Sequence, residues 1–257
     1  MTFLRSAILA FSMFSRIPMP RTEWNKKNMR YMICAFPLVG VAVGIAVWLW
    51  WRLCLLLELG AALRAAGLAL LPVAVTGAVH LDGFCDTVDA LASHAPVERR
   101  REILKDPHTG AFAVIWVCAY LLFYFALCRE LAPTREAIFL YALGFVLSRC
   151  LSGLSVVAFP AAGGTGLLST FKASAEKRLS AAVLLVLFFL VCILMAVLIP
   201  LAGVLLPLAA LLCFAALYRT ARRAFGGMSG DLAGWFLQLC ELSMLAALVF
   251  IQRVVAI

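Results

Sequence analysis

The sequence predicts an all-α, polytopic integral membrane helical bundle of about six or seven transmembrane helices, preceded by an N-terminal interfacial or re-entrant helix. Three observations carry this prediction. Of the 257 residues, 65% are hydrophobic and 14% charged, whereas soluble domains average roughly 45–50% apolar. Apolar runs near the length needed to cross about 30 Å of hydrocarbon recur along the chain. The polar segments between them also alternate between strongly and weakly basic, as expected of loops on two sides of a membrane. The net charge of +9 follows those loops, which points to topology and to anionic lipid or phosphate-bearing substrates, with no nucleic acid partner. Nine cysteines stand singly, mostly inside apolar runs and never as C-x-x-C; they read as small buried hydrophobes, neither a zinc site nor a disulfide framework.

Residues 1–14 are too short to span. Arg5 interrupts their apolar run and no small-residue cleavage site follows, so no cleavable signal peptide is read. Pro18, Pro20 and the basic run Arg21 to Arg30 form a polar loop. The first span, about 31–51, carries Gly40 and Gly44 at the small-xxx-small spacing that lets helices approach closely, with Trp48, Trp50 and Trp51 at its far end. A second span is expected at about 62–80, ending at an acidic stretch. Residues 81–110 form the longest hydrophilic segment, in which 99–106 has a helical pattern. Further spans are expected at about 111–128, 137–159, 180–199, 204–217 and 232–252, with a tight turn over Pro200 to Gly203. With a cytoplasmic N-terminus, sixteen Lys and Arg fall on the cytoplasmic side and five (Arg52, Arg64, Arg129, Arg135, Arg253) on the other, leaving Arg149 inside a span. No repeat or linker divides the chain, so one membrane-embedded catalytic domain over 1–257 is expected, with active-site loops at about 81–110, 160–179 and 218–231.

The chemistry concentrates in H80-L-D-G-F-C-D-T-V-D89. Asp82, Asp86 and Asp89 stand at i, i+4 and i+7 and share one helix face. Like charges so placed repel; unless merely solvated they call for a cation, and an all-carboxylate set suits Mg²⁺ or Mn²⁺ rather than zinc. Glu102 and Asp106 form a second acidic pair, with partnership to a neighbouring arginine as the alternative role of Glu102. Asp231, in G226-G-M-S-G-D231, is a third acidic element, with a helix N-cap as its alternative. Arg99, Arg100, Arg101, Lys105, Lys172, Arg222 and Arg223 are phosphate-binding candidates that serve equally as topology determinants. Arg149 is different, because a charge inside an apolar span faces a polar cavity or a carboxylate, and a functional role is favoured for it. His80 and His108 flank the acidic groups and are candidate proton carriers, with a plain interfacial polar residue as the alternative role of each.

The set F14-S-R-I-P-M-P, F36-P-L-V-G40, H80-L-D-G-F-C-D-T-V-D-A-L91, E102-I-L-K-D-P-H-T-G-A-F112 and G226-G-M-S-G-D-L-A-G234 resembles, in order and spacing, the adenosylcobinamide-GDP ribazoletransferase family, also called cobalamin 5′-phosphate synthase. The resemblance implies a multi-pass enzyme of the bacterial inner membrane, acting late in vitamin B12 assembly with Mg²⁺. Its substrates would be adenosylcobinamide-GDP and α-ribazole or its 5′-phosphate, and it would release GMP on the cytoplasmic side. Asp82, Asp86 and Asp89 would be the central catalytic and metal-binding residues, with Glu102, Asp106 and Asp231 as further metal ligands. His80 would join the catalytic set, and Lys105, Arg101, Arg149 and Lys172 would bind substrate. The resemblance also leaves room for membrane lipids, a second copy of the chain and other enzymes of late cobalamin assembly as partners. The chain departs from the family pattern at Ala90, where glycine is usual, in the loop after Pro160, and at Leu237 and Gln238, where the family carries Asn and Glu.

Two rival classes are weaker. A CDP-alcohol phosphatidyltransferase would carry D-G-x-x-A-R, but Asp86 and Thr87 occupy the last two positions. A metal or small-molecule transporter would place acidic residues near mid-membrane, whereas the acidic residues named above lie at span ends.

Overall fold

The computed structural model describes residues 2–162 and 167–255; between 167 and 174 it describes the side chains of 170, 171, 173 and 174. Among the described residues the chain is helical, with one isolated bridge between Ala161 and Met228 as its only β pairing. In order the helices are α1 (Thr2–Phe14), α2 (Lys26–Met29), α3 (Met32–Leu56), α4 (Ala61–Thr76), α5 (Val79–Ala92), α6 (Val97–Ile103), α7 (Ala111–Glu130), α8 (Arg135–Ala158), α9 (Leu167–Ser174), α10 (Lys177–Leu198), α11 (Pro200–Ala224) and α12 (Gly230–Val254). Six of them, α3, α7, α8, α10, α11 and α12, are long and apolar enough to cross a membrane, and α1 is a short apolar helix.

The expected second span is cut short. The apolar run continues to His80, yet α4 ends at Thr76 and α5 leaves at 93° to it. Gly77 and Ala78 both adopt left-handed backbone at φ 63°. Gly77 closes α4 as an ordinary left-handed cap, while the same conformation at Ala78 costs about 1 kcal/mol. The break is held by the segment after α1: the Arg16 N–H donates to the Val75 carbonyl at 2.8 Å, and the Arg16 side chain covers Gly77. The acidic stretch is therefore a helix of its own. Likewise, Pro200 to Gly203 is no turn but the first turn of α11, since proline at the first helical position is already set for helix.

The centre of the bundle is α3, α8 and α12, with 61–78% of their membrane-crossing stretches buried, against 22–28% for α7, α10 and α11. The outer helices present Val186, Phe189, Ile193 and Leu212, among others, to the surroundings, as lipid-facing surfaces do. Close approach of α3 and α8 depends on two glycines. A Cβ on Gly40 would lie 2.5 Å from the Phe145 carbonyl oxygen, and one on Gly44 would lie 3.2 Å from Ala142 Cβ.

Across the middle of the bundle runs a buried polar chain. Arg149 on α8 donates to Glu241 on α12, with Ser148 donating to the same carboxylate at 3.0 Å. Tyr120 donates to Gln238 at 2.6 Å, and Tyr141 to the Leu68 carbonyl at 2.9 Å. These bonds satisfy most of the chain, as a low-dielectric interior requires, and leave the buried Arg149 Nε without a partner.

Candidate active site

α5 lies against the start of α12 through reciprocal glycines. A Cβ on Gly83 would meet Asp231 Cα at 2.8 Å, and one on Gly234 would meet the His80 carbonyl at 2.7 Å. This contact brings Asp82, Asp86 and Asp89 of α5 to the end of the bundle that carries Asp231. Asp231 stands in the first turn of α12, whose N-cap is Ser229: the Ser229 hydroxyl accepts from the Leu232 N–H at 3.2 Å. Burial, then the charges of Asp82, Asp231 and Asp89, push the Asp86 carboxyl up to about 6. Asp89 leans the other way, against Gly110 at the N-terminus of α7, where the helix dipole favours a negative charge.

Two loops are stitched together beside these residues. The Met228 N–H donates to the Pro160 carbonyl at 2.7 Å and the Ala162 N–H to the Met228 carbonyl at 2.9 Å. Gly226 and Gly227, at φ 65° and 156°, supply backbone that a side chain rarely permits. Arg101 of α6 closes the corner, its Nε–H donating to the Phe225 carbonyl at 2.6 Å.

Between these elements lies a cavity of about 400 Å³. Its lining includes the polar residues Asp82, Asp231, Arg101, Lys105 and Ser229 and the apolar residues Met13, Phe14, Phe36, Val156, Phe171 and Leu237. His80 stands in its wall, 5% exposed, with no hydrogen-bond partner for Nε2. Burial and the nearby charge of Arg149 lower the His80 pKa well below its ordinary value, so the imidazole is neutral near pH 7.

Not every residue singled out in the sequence joins this group. Glu102 pairs with Arg99 at 2.7 Å on the exposed face of α6, the alternative role noted for it. Asp106 accepts from the backbone N–H of His108 at 2.9 Å and pairs with its ring at 2.7 Å; both face solvent. Arg149 does not line the cavity, because its guanidinium is committed to Glu241. The side chain of Lys172 lies outside the described residues. Sequence reasoning missed Glu241, although a lone carboxylate in an apolar span is the expected answer to a lone arginine in another. It also missed the 160–162 to 228 stitch, for which backbone hydrogen bonds leave no residue signature.

The donor chemistry at this end suits a hard divalent cation. Asp82, Asp86, Asp89 and Asp231 carry carboxylate oxygens, and none of the four is ion-paired to a basic group among the described residues. Among those residues, however, no three His, Cys, Asp or Glu groups converge closely enough to hold a metal as they stand.

The family model of cobalamin-5-phosphate synthase matches residues 6–249. An adenosylcobinamide-GDP ribazoletransferase of Lachnoclostridium phytofermentans is 43% identical over 255 residues, 99% of this chain and 97% of that protein. A protein of the same name from Desulfitobacterium hafniense is 34% identical over 252 residues, 95% of this chain and 96% of its own. One from Clostridium botulinum strain Alaska E43 is 28% identical over 238 residues, 93% of this chain and 94% of its own. No solved structure matches the chain.

Proposed function

Because the chain belongs to the cobalamin-5-phosphate synthase family, we propose that it joins adenosylcobinamide-GDP to α-ribazole, or to α-ribazole 5′-phosphate, with release of GMP, at the carboxylate-lined end of the bundle. The observation that carries the reading is a cavity lined by Asp82 and Asp231 together with Arg101 and Lys105, with Asp86 close enough to both aspartates to feel their charge. A ribose hydroxyl attacks the cobinamide-side phosphorus of the diphosphate. The new oxygen–phosphorus bond forms as the bond from that phosphorus to the bridging oxygen breaks, and GMP leaves with that oxygen. Arg101 and Lys105 bind diphosphate oxygens and fix the phosphorus in line with the hydroxyl. The hydroxyl proton leaves to His80 Nε2, which is neutral, or to a carboxylate of the site. Asp82, Asp86, Asp89 and Asp231 supply the oxygens that would hold Mg²⁺, or Mn²⁺ in its place, once drawn closer together than they stand here. The ion, when bound, offsets charge on the diphosphate and on departing GMP.

The basic residues cluster at the same end as these carboxylates, which supports a cytoplasmic site in the bacterial inner membrane. The test is GMP release by purified protein in detergent, given both substrates and Mg²⁺. Asp82→Asn should insert and fold as the parent yet lose on the order of a hundredfold in turnover or more, and chelation of the metal should do the same. Turnover at the parent rate in Asp82→Asn would overturn the role of the carboxylates.

A further inference from the structure

The two substrates differ greatly in size, and the cavity has room for one of them. Small-molecule sites enclose roughly 300–1,000 Å³, so about 400 Å³ suits a nucleoside. A corrin macrocycle bearing a nucleotide diphosphate has several times as many atoms and does not fit inside. The lining agrees with the smaller guest. Phe14 and the little-exposed Phe36 and Phe171 border it as aromatic contacts for a base, together with Asp82, Asp231, Arg101 and Lys105.

His80 is packed among these aromatic rings, two residues before Asp82 on α5. Its ring stacks on Phe14 at a centroid distance of 6.0 Å and meets the edge of Phe36 at 5.8 Å. Its Nε2, buried and without a partner, bears a desolvation cost that a ligand hydroxyl would relieve.

Resting on the activity proposed above, we infer that this cavity is the acceptor subsite. It takes the α-ribazole base among Phe14, Phe36 and Phe171 and turns the ribose hydroxyls toward His80 Nε2, Asp82 and Asp231, while the corrinoid remains outside. The enzyme is thus built to enclose the small nucleophilic partner and to meet the large electrophilic one at the cavity mouth.

Binding of α-ribazole alone to the detergent-purified protein, without Mg²⁺ or corrinoid, tests this by calorimetry. Saturable one-site binding is expected. Val156→Phe, which projects a ring into the cavity, should weaken it at least tenfold, and the smaller change Val156→Met should weaken it less. His80→Ala should weaken it about fivefold, the loss of one hydrogen bond. In the coupled reaction, both Val156 variants should raise KM for α-ribazole and leave KM for adenosylcobinamide-GDP within about twofold, the discrimination expected if the two substrates occupy separate places.

No binding of α-ribazole by the parent protein, or an increase confined to the KM for adenosylcobinamide-GDP, would overturn the subsite while leaving the proposed reaction standing. Binding that responds to the Val156 variants in a protein that never releases GMP would support the subsite and overturn the reaction.

Discussion

Arg149 and Glu241 form an ion pair almost wholly removed from solvent, 1% and 5% exposed. Removing one partner from such a pair leaves an uncompensated buried charge at a cost of about 3–5 kcal/mol, whereas replacing both with apolar residues of similar volume is often close to neutral. Arg149→Met should therefore lower the thermal midpoint in detergent markedly, and adding Glu241→Leu should restore most of it. The same double variant decides whether Arg149 also acts on substrate: a folded protein with undiminished GMP release assigns the pair to structure alone. At Asp86 the prediction concerns pH. Its carboxyl, at about 6, stands above the ordinary value of about 3.9, so the folded state holds that proton more tightly than the unfolded chain does. The stability this group contributes is full below the ordinary carboxylate range and is lost as pH rises through about 6. Melting curves of metal-free protein should show that loss, and Asp86→Asn should remove it. Added Mg²⁺ should raise the midpoint more at pH 7.5 than at pH 5, where the proton competes for the same oxygens. Of these residues, Arg149 was conspicuous in the sequence as a charge in an apolar span. Its partner was not identified, because nothing in one strand of letters says that α8 and α12 face each other at that depth.

α5 shows what a helix-spaced motif reveals and what it hides. The i, i+4, i+7 aspartates fix a shared face from sequence alone, and the structure has them on one helix. The boundary was hidden, since the apolar run passes through Gly77 and Ala78 without a polar residue and the bend depends on Arg16 from elsewhere in the chain. The glycine inside the motif also has a use that spacing does not show, which is contact with the backbone of α12. A methyl group at Gly83 would press on Asp231 Cα at 2.8 Å, an over-packing that typically costs 1–3 kcal/mol. Gly83→Ala should lower the thermal midpoint and displace Asp231 from Asp82, cutting GMP release. Gly60→Ala is the control, because no heavy atom within 4 Å meets a Cβ there, and it should leave both measurements near the parent values.

At the scale of the molecule, the bundle gathers its chemistry at one end and ties off the other. Phe14 meets Phe36 and His80 at the first end, while Arg253 pairs with Glu130 and Trp51 donates to the Pro133 carbonyl at the second. The loop assignment made from the sequence gives five basic residues to one side of the membrane and sixteen to the other, an imbalance that predicts a cytoplasmic first end. An alkaline phosphatase fused after residue 254 should be active on the outer face, and one fused after residue 109 should be silent; the reverse result would place the site outside the cell. Membrane class, helix number and the acidic face were legible because composition and period encode them directly. The cavity was not, because it is enclosed by residues from α1, α3, α5, α6, α8, α9 and α12 whose only shared property is where the fold puts them.

The early end of α4 sets a depth. Its sixteen residues cover about 24 Å at 1.5 Å per residue, less than the roughly 30 Å of a typical hydrocarbon slab. Counted from the far interface, the break at Gly77 would then fall about one helical turn short of the near headgroups. On the proposed reaction a water-borne nucleoside would have to reach the carboxylates below that level, so bilayer thickness would act on how readily it arrives.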